Sequence, residues 1–321
     1  MENEMIKSEC ENTLSKYFYF INCSEMEKEL CNMEMRSIFR KEPKEKYLFS
    51  EKNFDPSRSP FIKLQIKSIY IEKNLEDIIR KIKEDKVSYD DFKVNYIKSE
   101  DGDVSYEERL KAVKEIGFVV TGFPDIHNPK IELAITKVKG KWIFGELIKN
   151  NFKWQRHNDN PHSYSNAVPL RMARALVNIA VGDNRELTLV DPCCGVGTVV
   201  IEALDLGINV KGYEISKPIA CNARNNIEFL GYNREIITSG DMHDISEVFD
   251  VAIVDIPYGL FSPVTLKEQV DIINTSRRIA RKLVIITFED MDNLITSAGF
   301  KILEKCYMTK GNMIRQISIC E

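Results

Sequence analysis

The sequence predicts an α/β protein: a mostly parallel sheet closed by an antiparallel hairpin fills the C-terminal half, and a smaller α/β region precedes it. Three observations carry this. From about residue 182 onward, short strand patterns alternate with amphipathic helix patterns, and the strand cores VAIV and LVII are apolar throughout, as in strands covered on both faces. The last segment, KILEKCYMTKGNMIRQISI, reads instead as two strands joined at Lys310, Gly311 and Asn312. Residues 13–150 repeat a shorter rhythm of strand, helix and strand.

Composition bounds the function. At 321 residues the chain exceeds what one core usually organises, so two or three domains are expected. With 43% hydrophobic and 29% charged residues it has the balance of an ordinary globular protein. No apolar run approaches the roughly 20 residues of a membrane span, and MENEMIKSEC offers no apolar core for a signal peptide. The expectation is a cytoplasmic protein with no membrane contact. The eight cysteines form no CxxC pair and no zinc spacing, so free thiols and no metal site are expected. A net charge of −4 argues against a surface coated for nucleic acid. One stretch, 130–156, runs the other way: Lys130, Lys137, Lys139, Lys141, Lys149, Lys153 and Arg156 face only Glu132 and Glu146, interleaved with Trp142, Phe144, Phe152 and Trp154. It reads either as an electrostatic footprint for RNA or as a solvated hairpin with aromatic core residues.

In chain order, YFYFIN predicts a strand, 24–39 a helix and KYLFS a strand. NFDPSRSPF, with two prolines, marks a connection. FIKLQIKSIYI, residues 74–84 and FKVNYI repeat the pattern, and a helix at 106–116 follows the polar turn of Asp101, Gly102 and Asp103. IELAITKV and KWIFGELI flank Lys139, Gly140 and Lys141 as a hairpin. Residues 150–168 form a second boundary, with Ser165 placed to cap a helix ended by Gly182. The predicted division is 1–155 and 156–321. In the second part the strands are LTLV, INVKGYE, REIITSG, DVAIVDIP and KLVIITF, with helices at 199–206, 218–229 and 266–280 between them.

The chemistry concentrates in LTLVDPCCGVGTVVIEA, residues 187–203, a strand, a glycine turn and a helix start. Gly195 and Gly197 let backbone approach a ligand, and the exposed N–H groups favour an anionic or very polar group. A dinucleotide fingerprint would place Gly or Ala where Val200 stands, so that match is poor. Acids at successive strand ends suit S-adenosylmethionine: Asp191 for the loop and the methionine ammonium, Glu214 for the ribose hydroxyls, Asp241 for the adenine amino group. The fourth strand ends in Asp255, Ile256, Pro257, Tyr258 and Gly259, which resembles the (Asp/Asn)-Pro-Pro-Tyr motif of amino-methyltransferases. An exocyclic base amine is a poor nucleophile because its lone pair is delocalised. The Asp255 carboxylate and the Ile256 carbonyl can accept its N–H bonds, and Tyr258 can stack on the base. Ile256 departs from the usual first proline, while Pro257 still biases it towards an extended backbone.

These motifs, together with YFYFINCSEMEKEL, KWIFGELIKNNFKW, PHSYSNAVPLRMARALVNIA and VKGYEIS, resemble those of the THUMP-domain RNA methyltransferases, specifically the tRNA guanine-N2-methyltransferases acting at position 10. The resemblance covers about residues 13–321. It implies a ferredoxin-like plus THUMP region that grips tRNA by shape, and a Rossmann-like class I methyltransferase domain using S-adenosylmethionine. It implies a cofactor loop of Asp191, Pro192, Cys193, Gly195 and Gly197 with Glu214 and Asp241, and an acceptor site of Asp255, Ile256, Pro257 and Tyr258. Cys193 and Cys194 are read as loop packing, since direct amine attack needs no covalent enzyme intermediate. His162 and Tyr164 are read as lining the cofactor's methionine end or capping the linker, and His243 as a surface residue. The alternatives are an rRNA guanine-N2 or DNA adenine-N6 methyltransferase, and a non-catalytic RNA-binding protein of the same fold. Some relatives need a small activator subunit, on which the sequence is silent.

Overall fold

The computed structural model describes residues 16–99, 104–163, 167–257, 264–310 and 313–321. The expected turns at Asp101, Gly102 and Asp103 and at Gly311 and Asn312 lie outside the described residues, as do Tyr164, Ser165, Tyr258 and Gly259. Contacts divide the chain into two compact units. One holds the described residues up to Asn22, then Pro43–Ser57 and Phe61–Asn151; the other holds Cys23–Glu42, Arg58–Pro60 and Phe152–Glu321.

The first unit is built on a six-stranded sheet. Its strands are β1 (Tyr17–Ile21), β2 (Tyr47–Ser50), β3 (Ile62–Glu72), β4 (Phe92–Tyr96), β5 (Ile131–Val138) and β6 (Lys141–Lys149), in the order β2-β1-β3-β6-β5-β4. Only β4 and β5 pair in parallel. Between β1 and β2 the chain leaves this unit: the 3₁₀ turn Glu25–Glu27 and helix α1 (Lys28–Phe39) count with the second. A single cut at 155 therefore differs from the contact map in where it places α1. Helices α2 (Leu75–Glu84) and α3 (Tyr106–Val119) cover one face of the sheet. Leu75, Ile78 and Ile82 of α2 lie at helical spacing and are buried with Ala112, Ile116, Leu133 and Phe144. Ser105 and Glu108 close α3 with a reciprocal capping box, and that helix runs three residues beyond the expected end at 116.

The basic stretch resolves towards packing at several positions. Trp142, Phe144 and Trp154 are buried. Lys130 pairs with Asp91 at 2.5 Å and Lys149 with Glu132 at 2.5 Å. The hairpin turn is where expected, with Lys139 at φ 47° and Gly140 at φ 74°.

The second unit is built on a seven-stranded sheet. Its strands are β7 (Thr188–Asp191), β8 (Asn209–Glu214), β9 (Ile237–Ser239), β10 (Phe249–Asp255), β11 (Ala280–Thr287), β12 (Ile302–Lys310) and β13 (Met313–Cys320). The order is β12-β13-β11-β10-β7-β8-β9, parallel from β9 through β11, with β13 antiparallel to both its neighbours. This is the Rossmann-like α/β sheet with its closing hairpin, and the strand order reverses between β7 and β10. The helices are α4 (Leu170–Val181), α5 (Thr198–Asp205), α6 (Lys217–Phe229), α7 (Leu266–Ile279) and α8 (Asp292–Ser297). Pro169 occupies the N-cap of α4, the place expected for a cap from Ser165, and Gly182 ends that helix at φ 58°. β9 is shorter than REIITSG suggested because residues 234–236 wind into a 3₁₀ turn capped by Asn233. No helix among the described residues is long and apolar enough to cross a membrane.

A buried ionic network anchors α5. His157, in the 3₁₀ segment Lys153–Asp159, places Nδ1 2.5 Å from Glu202 Oε1, while Arg174 of α4 donates to Glu202 Oε2 at 2.6 Å and to Asp205 Oδ2 at 3.0 Å. The Arg174 guanidinium also lies 5.5 Å from the Trp154 ring. Burial opposes charge on His157, yet Asp205 and Glu202 outweigh it and hold its pKa at about 9. The folded ring therefore keeps a proton that the unfolded ring releases near its ordinary value. That stabilisation is complete below about pH 6.5 and is lost as pH rises through about 9. On raising pH from 6.5 to 9.5, urea denaturation should show the wild-type chain losing on the order of 1–3 kcal/mol more than His157→Gln loses.

Candidate active site

The site forms where the carboxyl ends of β7, β8 and β10 meet at the strand-order reversal. Leu189 and Val190 are fully buried, which pins β7 in the sheet, and Asp191 is its last residue. The chain then turns sharply. Cys194 N donates to Tyr213 O at 2.9 Å and Gly197 N to Cys194 O at 2.8 Å, folding the loop onto the end of β8. Gly195 (φ 53°) and Gly197 (φ 87°) hold left-handed conformations that an L side chain would strain, and Gly197 is the N-cap of α5. A Cβ at Gly195 would meet nothing within 4 Å, so the backbone there borders open space.

The acids are placed by these turns. Asp191 Oδ1 accepts from Cys193 N at 3.3 Å. Its carboxyl is buried; desolvation first, and then the charges of Asp255 and Glu214, push its pKa up to about 8. A group in that state gains most from a cation brought beside it. Glu214, at the end of β8, accepts from Gly195 N at 3.1 Å and from Ser216 N at 2.7 Å, so it shapes the loop with one bond to each oxygen. A carboxylate offers about four acceptor directions, so capacity for two hydroxyls remains. Asp241, just after β9, caps the 3₁₀ turn Met242–Asp244 by accepting from His243 N at 2.9 Å. His243 is exposed and its Nδ1 lies 2.6 Å from Thr275 Oγ1. Burial, followed by the charge of Asp191, raises both loop thiols, Cys193 and Cys194, far from thiolate character, as expected of packing rather than nucleophilic residues.

Asp255 ends β10. Its Oδ1 is a buried atom that accepts no hydrogen bond from the described residues. Desolvation raises its pKa to about 6, with Arg315 opposing. Ile256 is buried and its N–H donates to Ile286 O at 3.1 Å, while Gln269 of α7 donates to Pro257 O at 3.1 Å, holding the turn from both sides. Tyr258 lies outside the described residues.

One residue missed at the sequence level joins these parts. Asn226 of α6 is fully buried; its Nδ2 donates to Val196 O at 3.0 Å and to His162 O at 2.9 Å, and its Oδ1 accepts from His162 N at 3.0 Å. The glycine loop and the segment through His162 are thereby tied to one side chain. The available signal was an Asn-Asn pair in mid-helix, where asparagine is a poor helix former.

Comparison with known proteins bears on the same stretch. Residues 161–262 match the family model described as UPF0020, RMKL-like, methyltransferase domain. The chain is 29% identical over 119 residues to a tRNA (guanine(10)-N2)-dimethyltransferase of Methanothermobacter thermautotrophicus, covering 36% of this chain and 34% of that protein. It is 33% identical over 119 residues to the enzyme of the same name from Pyrococcus abyssi, covering 36% of this chain and 35% of that protein. The matches thus span about a third of these relatives' length. Among solved structures, TrmN from Thermus thermophilus aligns over 95% of this chain and 99% of its own with a TM-score of 0.48 and 14% identity.

Replacing Asn226 by Leu should strand three backbone groups, the buried Val196 carbonyl and the half-buried N–H and carbonyl of His162, at nearly constant volume. The expected loss is about 2–4 kcal/mol in urea unfolding, more than the about 1 kcal/mol of one exchanged hydrogen bond.

Proposed function

We propose that this chain is an S-adenosylmethionine-dependent RNA methyltransferase that methylates the exocyclic N2 of a guanosine in tRNA. The observation that carries the proposal is the buried Oδ1 of Asp255 at the end of β10, which has no hydrogen-bond partner among the described residues, beside the glycine loop that follows β7. A buried carboxylate oxygen without a donor costs free energy until a ligand supplies one, and an amine N–H does so. The similarity of residues 161–262 to a methyltransferase domain, and of 119 residues to enzymes named for guanine N2, supports this choice of donor.

The residues present suit the cofactor. Asp191, with its charge suppressed by burial, would hold the ammonium; Gly195 leaves room for close approach; Glu214 and Asp241 would receive the ribose and adenine. Bound there, S-adenosylmethionine supplies an electrophilic methyl group. Asp255 accepts one N–H of the base amine and the Ile256 carbonyl the other, which localises the nitrogen lone pair and favours the positive charge that develops on it. Pro257, held by Gln269, continues the acceptor turn, and the stacking role read for Tyr258 falls on a residue outside the described ones. The first unit, in residues of the predicted 1–155 region, is the RNA-gripping THUMP-type part of the proposal, and the cytoplasm is the compartment.

Incubation with methyl-labelled cofactor and tRNA should yield label recovered as N2-methylguanosine; label appearing only in DNA adenine would reject the assignment. Asp255→Ala should keep cofactor binding while lowering the transfer rate by roughly 10²–10³-fold, and unchanged transfer would remove Asp255 from the reaction. Lysine footprinting with bound tRNA should show protection within 62–149; protection confined to the second unit would remove the RNA-gripping role from the first.

A further inference from the structure

A buried cation stands on the same face of the second sheet as Asp255, two residues beyond its level. In the ladder, Asp255 is opposite Ile286 and Ile286 is opposite Ile317, and side chains of directly paired residues share a face. Arg315, two residues before Ile317 on β13, lies on that face as well. It is only 5% exposed. Its guanidinium is 5.2 Å from the Phe288 ring, and Nη1 is 3.8 Å from Met172 Sδ of α4. Among the described residues no carboxylate forms an ion pair with it within 4 Å. A guanidinium buried in this way is costly unless a counter-charge feels it.

We propose that Arg315 is a positioning residue for the acceptor site, the buried positive charge that keeps Asp255 ionised where the surroundings are too dry to do so unaided. The inference rests on the reading of Asp255 as acceptor of the base amine. A protonated Asp255 can accept less and presents an O–H donor where the amine also donates. Burial drives Asp255 towards that form, and Arg315 is the charge that resists. Among the described residues the other groups around this carboxyl give no such help. Asp191 and Cys193 feel its charge across the crevice, and Glu214 adds a further negative charge to both. β11 contributes Ile286 at this level, α4 contributes Met172, and α7 reaches only the Pro257 carbonyl through Gln269. Once Asp191 faces a cation and ionises, its charge pushes Asp255 further towards protonation. Arg315 then allows both carboxylates to be charged together.

The direct test needs no substrate. The Asp255 carboxyl can be followed by carbon NMR of chain labelled at aspartate, its resonance assigned by loss in Asp255→Asn. Arg315→Met should move the Asp255 midpoint upward by about one pH unit, a tenfold gain in proton affinity, and Arg315→Lys should restore it. Arg315→Gln gives the same readout should the Met variant fold poorly. An unmoved midpoint in the neutral variants overturns the proposal. In methyl-transfer assays the acid limb of the rate profile should move with the midpoint; a lower rate with the limb in place would mean that Arg315 serves packing alone, which also overturns it. Wild-type chain that methylates no guanosine amine would instead reject the function proposed above, while the NMR midpoints still decide the effect of Arg315 on Asp255.

Discussion

The parallel pairing of β7 with β10 is the constraint on which the site depends. Val251 opposite Leu189 and Ala252 opposite Val190 set the register. Asp191 therefore falls level with Ile253, and Asp255 extends two residues further. At about 3.3 Å per residue along a strand and about 4.8 Å between strands, the two acids are roughly 8 Å apart at their Cα atoms. A slip of one residue would turn Asp255 to the other face and send its neighbours out of the core. The apolar strand interiors are what prevent that slip, so packing of Leu189, Val190, Ala252 and Val254 fixes the spacing of the chemistry.

The polar groups around the loop serve shape as well as recognition. Glu214 holds Gly195 and Ser216 by their N–H groups, and Asp241 holds a 3₁₀ turn. Each acid keeps further acceptor capacity, so a ligand meets directions already set by backbone. Asn226 does the same from behind, with no surface of its own. Asp255 differs from these three: among the described residues its buried Oδ1 has no donor.

Much of this was legible from residue patterns. The elements of both sheets follow from periodicity, and Asp191, Glu214 and Asp255 stand at strand ends because apolar runs stop there. The departures have local causes. α8 was not anticipated, since six residues carry too little periodicity to register. Ser165 looked like a cap because it is a serine before an apolar stripe, but the helix starts later, after Pro169. α1 was assigned by sequence proximity to its flanking strands, whereas Met33 packs against Cys306, and Arg36 pairs with Glu304. Asn226 and Arg315 carry no motif. Their meaning arises only when register and packing bring distant elements to one point.

The placement of α1 bears on how the chain is made. The polypeptide passes between its two units at 22/23, 42/43, 57/58, 60/61 and 151/152. Helix α1 thus finds a partner such as Cys306, 273 residues after Met33, only once that much more chain has been made. Until then Leu30, Met33 and Ile38, all buried in the finished protein, have no native cover from β12. The second unit therefore combines segments far apart in the chain, and packing of α1 waits for β12 rather than proceeding in the order of translation.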